Sequence, residues 1–237
     1  MNSKIIAMIP ARIGSTRLKM KNLALINGKP MISYAIQAAK DTNIFDKIII
    51  NSDSEIFKKI ADRYGVEFYL RPKELGDSEI KSDDVVLDFI KNYNSDIIVW
   101  VNSISPLQTS NDIKKTVQYF IENKCNSLIT VVERQAHCIY KQQPLNFDVE
   151  GKFEQTQDLI PLQEMVYSIM MWKTSSFAQS MKKDGSAILH GKVSYYPINK
   201  LRSVIVKNQD DLLIVDSIMK INNSDYNNIK YDKISPE

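Results

Sequence analysis

Short, nearly unbroken apolar runs alternate with amphipathic stretches from the start of the chain. Lys4–Pro10 (KIIAMIP), Lys47–Asn51 (KIIIN), Asp96–Val101 (DIIVWV) and Ser127–Val132 read as strands buried on both faces. Glu67–Leu70 reads as a short strand of the same series. Between these runs, apolar residues recur at helical spacing over Pro30–Lys40, Ser54–Tyr64, Asp83–Tyr93 and Asn111–Glu122. Pro30 suits a first helical turn, Ser52–Ser54 offers side-chain caps to the second helix, and Ser82 offers one to the third. Strand and helix in strict alternation predict an α/β fold, a mainly parallel sheet with helices on both faces. Ligands of such sheets lie beyond the carboxyl ends of the strands. The loops after Pro10, Asn51, Leu70 and Val101 are therefore where a site is expected.

The pattern breaks from Glu133 to Val166, a polar, Gln-rich and poorly periodic stretch that reads as an inserted excursion, with a hairpin expected around Val149–Lys152. Ordered alternation resumes with Tyr167–Trp172, Val193–Pro197 and Ser203–Val206, followed by a helix over Gln209–Ile221. The Asn- and Asp-rich tail Asn222–Glu237 is expected to be partly disordered. With no internal repeat, the expectation is one domain over residues 1–237 carrying this insertion.

Composition adds limits. The 237 residues carry a net charge of only +3, from 31 basic and 28 acidic side chains, which is no nucleic-acid footprint. No apolar run would span a bilayer and no signal peptide is recognised, so a cytoplasmic location is expected. The two cysteines, Cys125 and Cys138, read as buried free thiols. His137 and His190 have no ligand spacing with them, so no zinc site is assigned, and Cys138 has no base near it in sequence to make it a nucleophile. Trp100 reads as core. Asp83 and Asp84 suit the first turn of a helix, with a metal role as the lesser alternative.

The candidate chemistry lies in Ile9–Asn22 (IPARIGSTRLKMKN). A buried strand ends in Pro10 and releases a loop holding Arg12, Arg17, Lys19 and Lys21 around Gly14 and Ser15. Glycine allows close backbone approach, Ser15 and backbone N–H groups can donate to phosphate oxygens, and the cations can neutralise a transferring phosphoryl group. A solvated basic loop with no ligand would carry the same residues. It is neither a Walker A loop nor a G-x-G-x-x-G turn.

This segment resembles the signature of the cytidylyltransferases that activate acidic sugars, the CMP-sialic acid synthetases and their relatives for legionaminic, pseudaminic and 3-deoxy-octulosonic acids. The likeness continues in Lys21-Asn22, Leu25–Pro30 (LINGKP), Leu70–Leu75 (LRPKEL) and Ser105-Pro106-Leu107, in order, over most of residues 4 to 132. It implies a Rossmann-like fold of the nucleotide-diphospho-sugar transferase type, with the excursion as dimerisation element and a homodimer as the assembly. The implied reaction is transfer of CMP from CTP to the anomeric hydroxyl of an acidic sugar, with magnesium as cofactor. Arg12, Ser15, Arg17, Lys21 and Asn22 would hold the triphosphate, Arg12 and Lys21 supplying the catalytic charge. Arg71 and Ser82 would lie near base and ribose, and Asn102 would approach the acceptor sugar. A surface charge and a helix cap are the plainer roles for Arg71 and Ser82.

The chain departs from the pattern at Thr16, at Gln108 (where relatives carry Arg) and at Tyr167–Met171. Ile205 and Lys207 stand where the family has the two carboxylates that bind magnesium. Neither offers an oxygen ligand, so metal binding is expected to be weakened or relocated. Two other functions are consistent with these departures. One is a non-catalytic nucleotide-binding paralogue. The other is a nucleotidyltransferase with a different acceptor, such as a sugar phosphate or phosphonate.

Overall fold

The structure is a computed structural model and describes residues 3–77 and 79–221. Its strands are β1 (Ile5–Ala11), β2 (Leu25–Ile26), β3 (Lys29–Pro30), β4 (Lys47–Ser52), β5 (Glu67–Leu70), β6 (Ile97–Val101), β7 (Ser127–Arg134), β8 (Ile139–Tyr140), β9 (Gln143–Pro144), β10 (Leu162–Lys173) and β11 (Val193–Pro197). The α-helices are α1 (Met31–Lys40), α2 (Ile56–Tyr64), α3 (Ser82–Asn92), α4 (Ser110–Glu122), α5 (Thr174–Asp184) and α6 (Gln209–Lys220). Seven strands form one sheet in the order β11-β7-β10-β6-β1-β4-β5. All neighbours are parallel except β10, which runs antiparallel to both β6 and β7.

The strand pleat explains the unbroken apolar runs. Ile5, Ala7 and Ile9 point into a core shared with α1, α2 and α4, while Ile6 and Met8 point into one shared with α3 and α5. Both faces are buried, so no polar alternation survives in β1. The chain steps from β1 outward to β4 and β5, then returns to place β6 on the other side of β1. That reversal opens a crevice at the carboxyl ends of β1 and β6, the usual ligand position in a sheet of this kind. Among the described residues no helix is long and apolar enough to cross a membrane.

Several expectations are corrected. The hairpin expected at Val149–Lys152 is absent. It forms instead between β8 and β9, with Lys141 and Gln142 both at positive φ. The glycine at 151 marks only a bend. Asn146 closes the real hairpin, accepting the Cys138 N–H at 3.0 Å and donating to the carbonyls of Ala136 and Ile160. Both ends of the Glu133–Val166 stretch belong to the sheet, since Leu162 pairs with Arg134 and Glu164 with Val132. Ser203–Val206 pairs with no strand among the described residues; Val206 packs against Ile26, Met31 and Val215. Ser82 opens α3 but caps nothing. The helix α5 was not expected. The tail Asn222–Glu237 lies outside the described residues.

Candidate functional site

The loop after β1 is held by side chains from two other strand ends and by its own Asn22. Asp53, just past β4, accepts the Ile13 N–H at 3.1 Å. Asn22 donates to the Arg12 carbonyl at 3.3 Å, and its Oδ1 lies 2.8 Å from the Ser103 hydroxyl beyond β6. Gly76 lets the wall after β5 close on Asp53, for a Cβ there would sit 2.8 Å from the Asp53 Cβ. Gly14 behaves differently: a Cβ would meet no atom within 4 Å. The packing of the fold does not need a glycine at 14. The LINGKP block forms the β2–β3 hairpin, whose two-residue turn puts Asn27 and Gly28 at φ 44° and 74°. Asn-Gly is the favoured pair for such a turn.

These loops enclose a cavity of about 300 Å³ lined by all eight residues singled out from sequence: Arg12, Ser15, Arg17, Lys21, Asn22, Arg71, Ser82 and Asn102. Sequence reasoning missed Asp77 and the apolar wall of Leu75, Ile80, Val85 and Trp100. Trp100 is half-buried on that wall rather than sealed in the core, because β6 ends at the crevice.

Arg71 is buried. Its Nη1 donates to the Asn51 carbonyl at 3.0 Å, and Nη2 lies 4.0 Å from Asp53. Burial lowers its pKa, partly offset by Asp53. Arg71 Nε and Trp100 Nε1 have no partner among the described residues, an open hydrogen-bonding demand beside the cavity. Lys21 donates to the Val206 carbonyl at 3.1 Å. Its pKa is lowered to about 8, first by burial, then by Arg17 and Arg12, with Asp211 opposing and Lys207 adding to the drop. Asn102 donates to the Tyr167 carbonyl at 3.0 Å, where β10 bulges and Tyr167 takes a φ of 51°. Gln108 donates to the Asn102 carbonyl at 3.0 Å and so shapes the loop from behind.

A second cavity of about 320 Å³ lies beyond Asn102 and Lys21, lined by Arg134, Glu164, Tyr167, Lys200, Ile205 and Lys207 among others. Ile205 packs with the apolar cluster of Val132, Val166 and Ile198. Asp211 accepts the N–H groups of Lys207 and Asn208 and so completes the capping box that starts α6. The residues at 205 and 207 do not fit a magnesium ion, and among the described residues no group of three His, Cys, Asp or Glu side chains could hold a metal. Three other candidates make structural contacts, and Cys138, expected to be buried, is only partly so. Asp83 accepts the N–H groups of Ala187 and Ile188, His190 bonds Ser176 and the Ala187 carbonyl, and Cys125 lies buried against Ser194.

The family described as cytidylyltransferase matches residues 6–163. An N-acylneuraminate cytidylyltransferase of Streptococcus agalactiae is 34% identical over 137 residues, covering 56% of this chain and 33% of that protein. The pseudaminic acid cytidylyltransferase of Campylobacter jejuni is 30% identical over 168 residues, covering 66% of this chain and 72% of that one. The chain thus spans about a third of the length of the N-acylneuraminate cytidylyltransferases it matches. CMP:2-keto-3-deoxy-manno-octonic acid synthetase, solved in complex with CTP, superposes with a TM-score of 0.68 at 15% identity, covering 92% of this chain and 98% of that one. At that identity the likeness shows the fold alone, and it is the nucleotide-diphospho-sugar transferase fold that the family resemblance implied.

Proposed function

Because the chain belongs to the cytidylyltransferase family, we propose that it transfers CMP from CTP to the anomeric hydroxyl of an acidic sugar and releases pyrophosphate. The observation that carries this reading is the gathering of Arg12, Arg17, Lys21 and Ser15 around one cavity at the carboxyl ends of β1 and β6. A triphosphate placed there meets three cations and a hydroxyl donor. The base faces the apolar wall and Arg71, whose open Nε suits an acceptor on the base edge. The acidic acceptor takes the neighbouring cavity, where Arg134 and Lys200 attract a carboxylate.

In the reaction, the anomeric oxygen attacks the α-phosphorus in line. The sugar–phosphate bond forms as the α–β anhydride breaks, pyrophosphate leaves with the electron pair, and the hydroxyl proton passes to solvent. Arg12 and Lys21 neutralise the charge that grows on the phosphates, and Asn102 stands between the two cavities. A homodimer through the excursion is part of this reading. Ile139, Tyr140, Val149, Phe153 and Ile160 there are all exposed, a concentration of apolar surface that a second copy would bury.

A second reading, a paralogue that binds CTP without turning it over, is favoured by Ile205 and Lys207. Pyrophosphate release from each of the four nucleoside triphosphates, with a panel of nonulosonic acids and 3-deoxy-octulosonic acid, tests both. Release with CTP and an acidic sugar is expected. CTP binding with no release for any acceptor favours the second reading, and release with ATP or GTP alone overturns the choice of CTP.

A further inference from the structure

Lys21 lines the first cavity and bonds the carbonyl of Val206, the residue between Ile205 and Lys207. That hydrogen bond sets the 205–207 segment against the place of the triphosphate. Ile205 is committed to apolar packing. Asp211 accepts the N–H groups of Lys207 and Asn208 at 2.8 and 3.0 Å, which leaves it as a helix cap. Among the described residues, Asp77 is the one carboxylate lining the first cavity. Against it stand Arg12 and Arg17 from the loop after β1 and Lys21 itself, with Lys207 on the neighbouring cavity. Burial lowers the pKa of Lys21 first, and Arg17, Arg12 and Lys207 lower it further, with Asp211 as the opposing charge. Three like charges on one cavity, with a fourth beside it, cost the free protein, and a polyanion lowers the cost.

We propose that this cavity takes the triphosphate of CTP with no divalent cation, Lys21 and Lys207 supplying the positive charge that the ion would otherwise bring. The proposal rests on the reading of the cavity as a CTP site. Its chemical basis is that a magnesium ion on a triphosphate wants one or two carboxylates from the protein, and here an ammonium and an alkyl group occupy their places.

The test is calorimetric CTP affinity of the whole chain in EDTA and in saturating magnesium. The expected difference is less than about threefold, since no carboxylate pair rewards the ion. Lys207→Ala is expected to weaken binding in EDTA by about tenfold, the loss of one charge-assisted contact. The pair Ile205→Asp with Lys207→Asp is expected to lose affinity in EDTA and regain it with magnesium. Wild-type affinity that rises about tenfold or more with magnesium overturns the proposal. Loss of that rise in Asp77→Asn would then assign the ion to Asp77. Absence of CTP binding in both conditions overturns the CTP reading itself, so the two failures are told apart.

Discussion

Replacing Lys21 by Met separates binding from stability. Lys21 is half-buried, and its pKa is lowered from 10.5 to about 8 by burial and by Arg17 and Arg12. At about 1.4 kcal/mol per pH unit this drop is worth roughly 3 kcal/mol, and solvent screening of a half-open group reduces it to about 1–2 kcal/mol. The cation is therefore a burden on the folded state. Met removes that burden but also the bond to the Val206 carbonyl, which costs about 1–2 kcal/mol. The two nearly offset, so the melting temperature at pH 7 is expected to move by only about 2–4 °C. The sign with pH is fixed. At neutral pH the lysine is charged in both folded and unfolded chains and the full cost is present. Between about 8 and 10.5 the unfolded chain binds more protons, so wild type gains stability relative to Lys21→Met as pH rises through that window. Triphosphate binding runs the other way. Wild-type affinity falls as pH passes about 8 and the ammonium is lost, while Lys21→Met is weaker by roughly ten- to a hundredfold and flat across that range. Thermal melts and CTP calorimetry from neutral to alkaline pH read both. A variant that unfolds at pH 7, or one that binds CTP as tightly as wild type, would refute the reasoning.

Gly76→Ala drives a Cβ to 2.8 Å from the Asp53 Cβ, so Asp53 must give up its hold on Ile13. A stability loss of about 1–3 kcal/mol with weaker CTP binding is expected, and unchanged melting and calorimetry would remove Asp53 as the loop's anchor. Phe153→Glu with Ile160→Glu places charges on the exposed apolar surface of the excursion, where sedimentation is expected to show a dimer in wild type and a monomer in the variant. A wild type that stays monomeric at all concentrations sinks the dimer.

The sheet was legible because β1, β4, β6 and β7 are apolar on both faces, a local property that needs no knowledge of the partner strand. The basic loop from Arg12 to Lys21 was legible because it follows β1 and a parallel sheet gathers its carboxyl-end loops, whereas Asn22, Arg71, Ser82 and Asn102, which line the same cavity, came from the family resemblance. What escaped depends on partners far along the chain. The α5 segment TSSFAQSMKKD buries little besides Thr174 and Phe177, so its apolar stripe is too thin to show as a helical period. The outer halves of β7 and β10 pair charged residues at the surface, Arg134 with Glu164 by a salt bridge, and so read as loop. Ser82 looked like a cap until the helix ended up with its side chain facing the cavity. Lys21 shows the limit most plainly. As a letter in a basic loop it is an ordinary lysine, and its lowered pKa exists only because the fold buries it against Val206, 185 residues away in sequence, among cations from two separate segments.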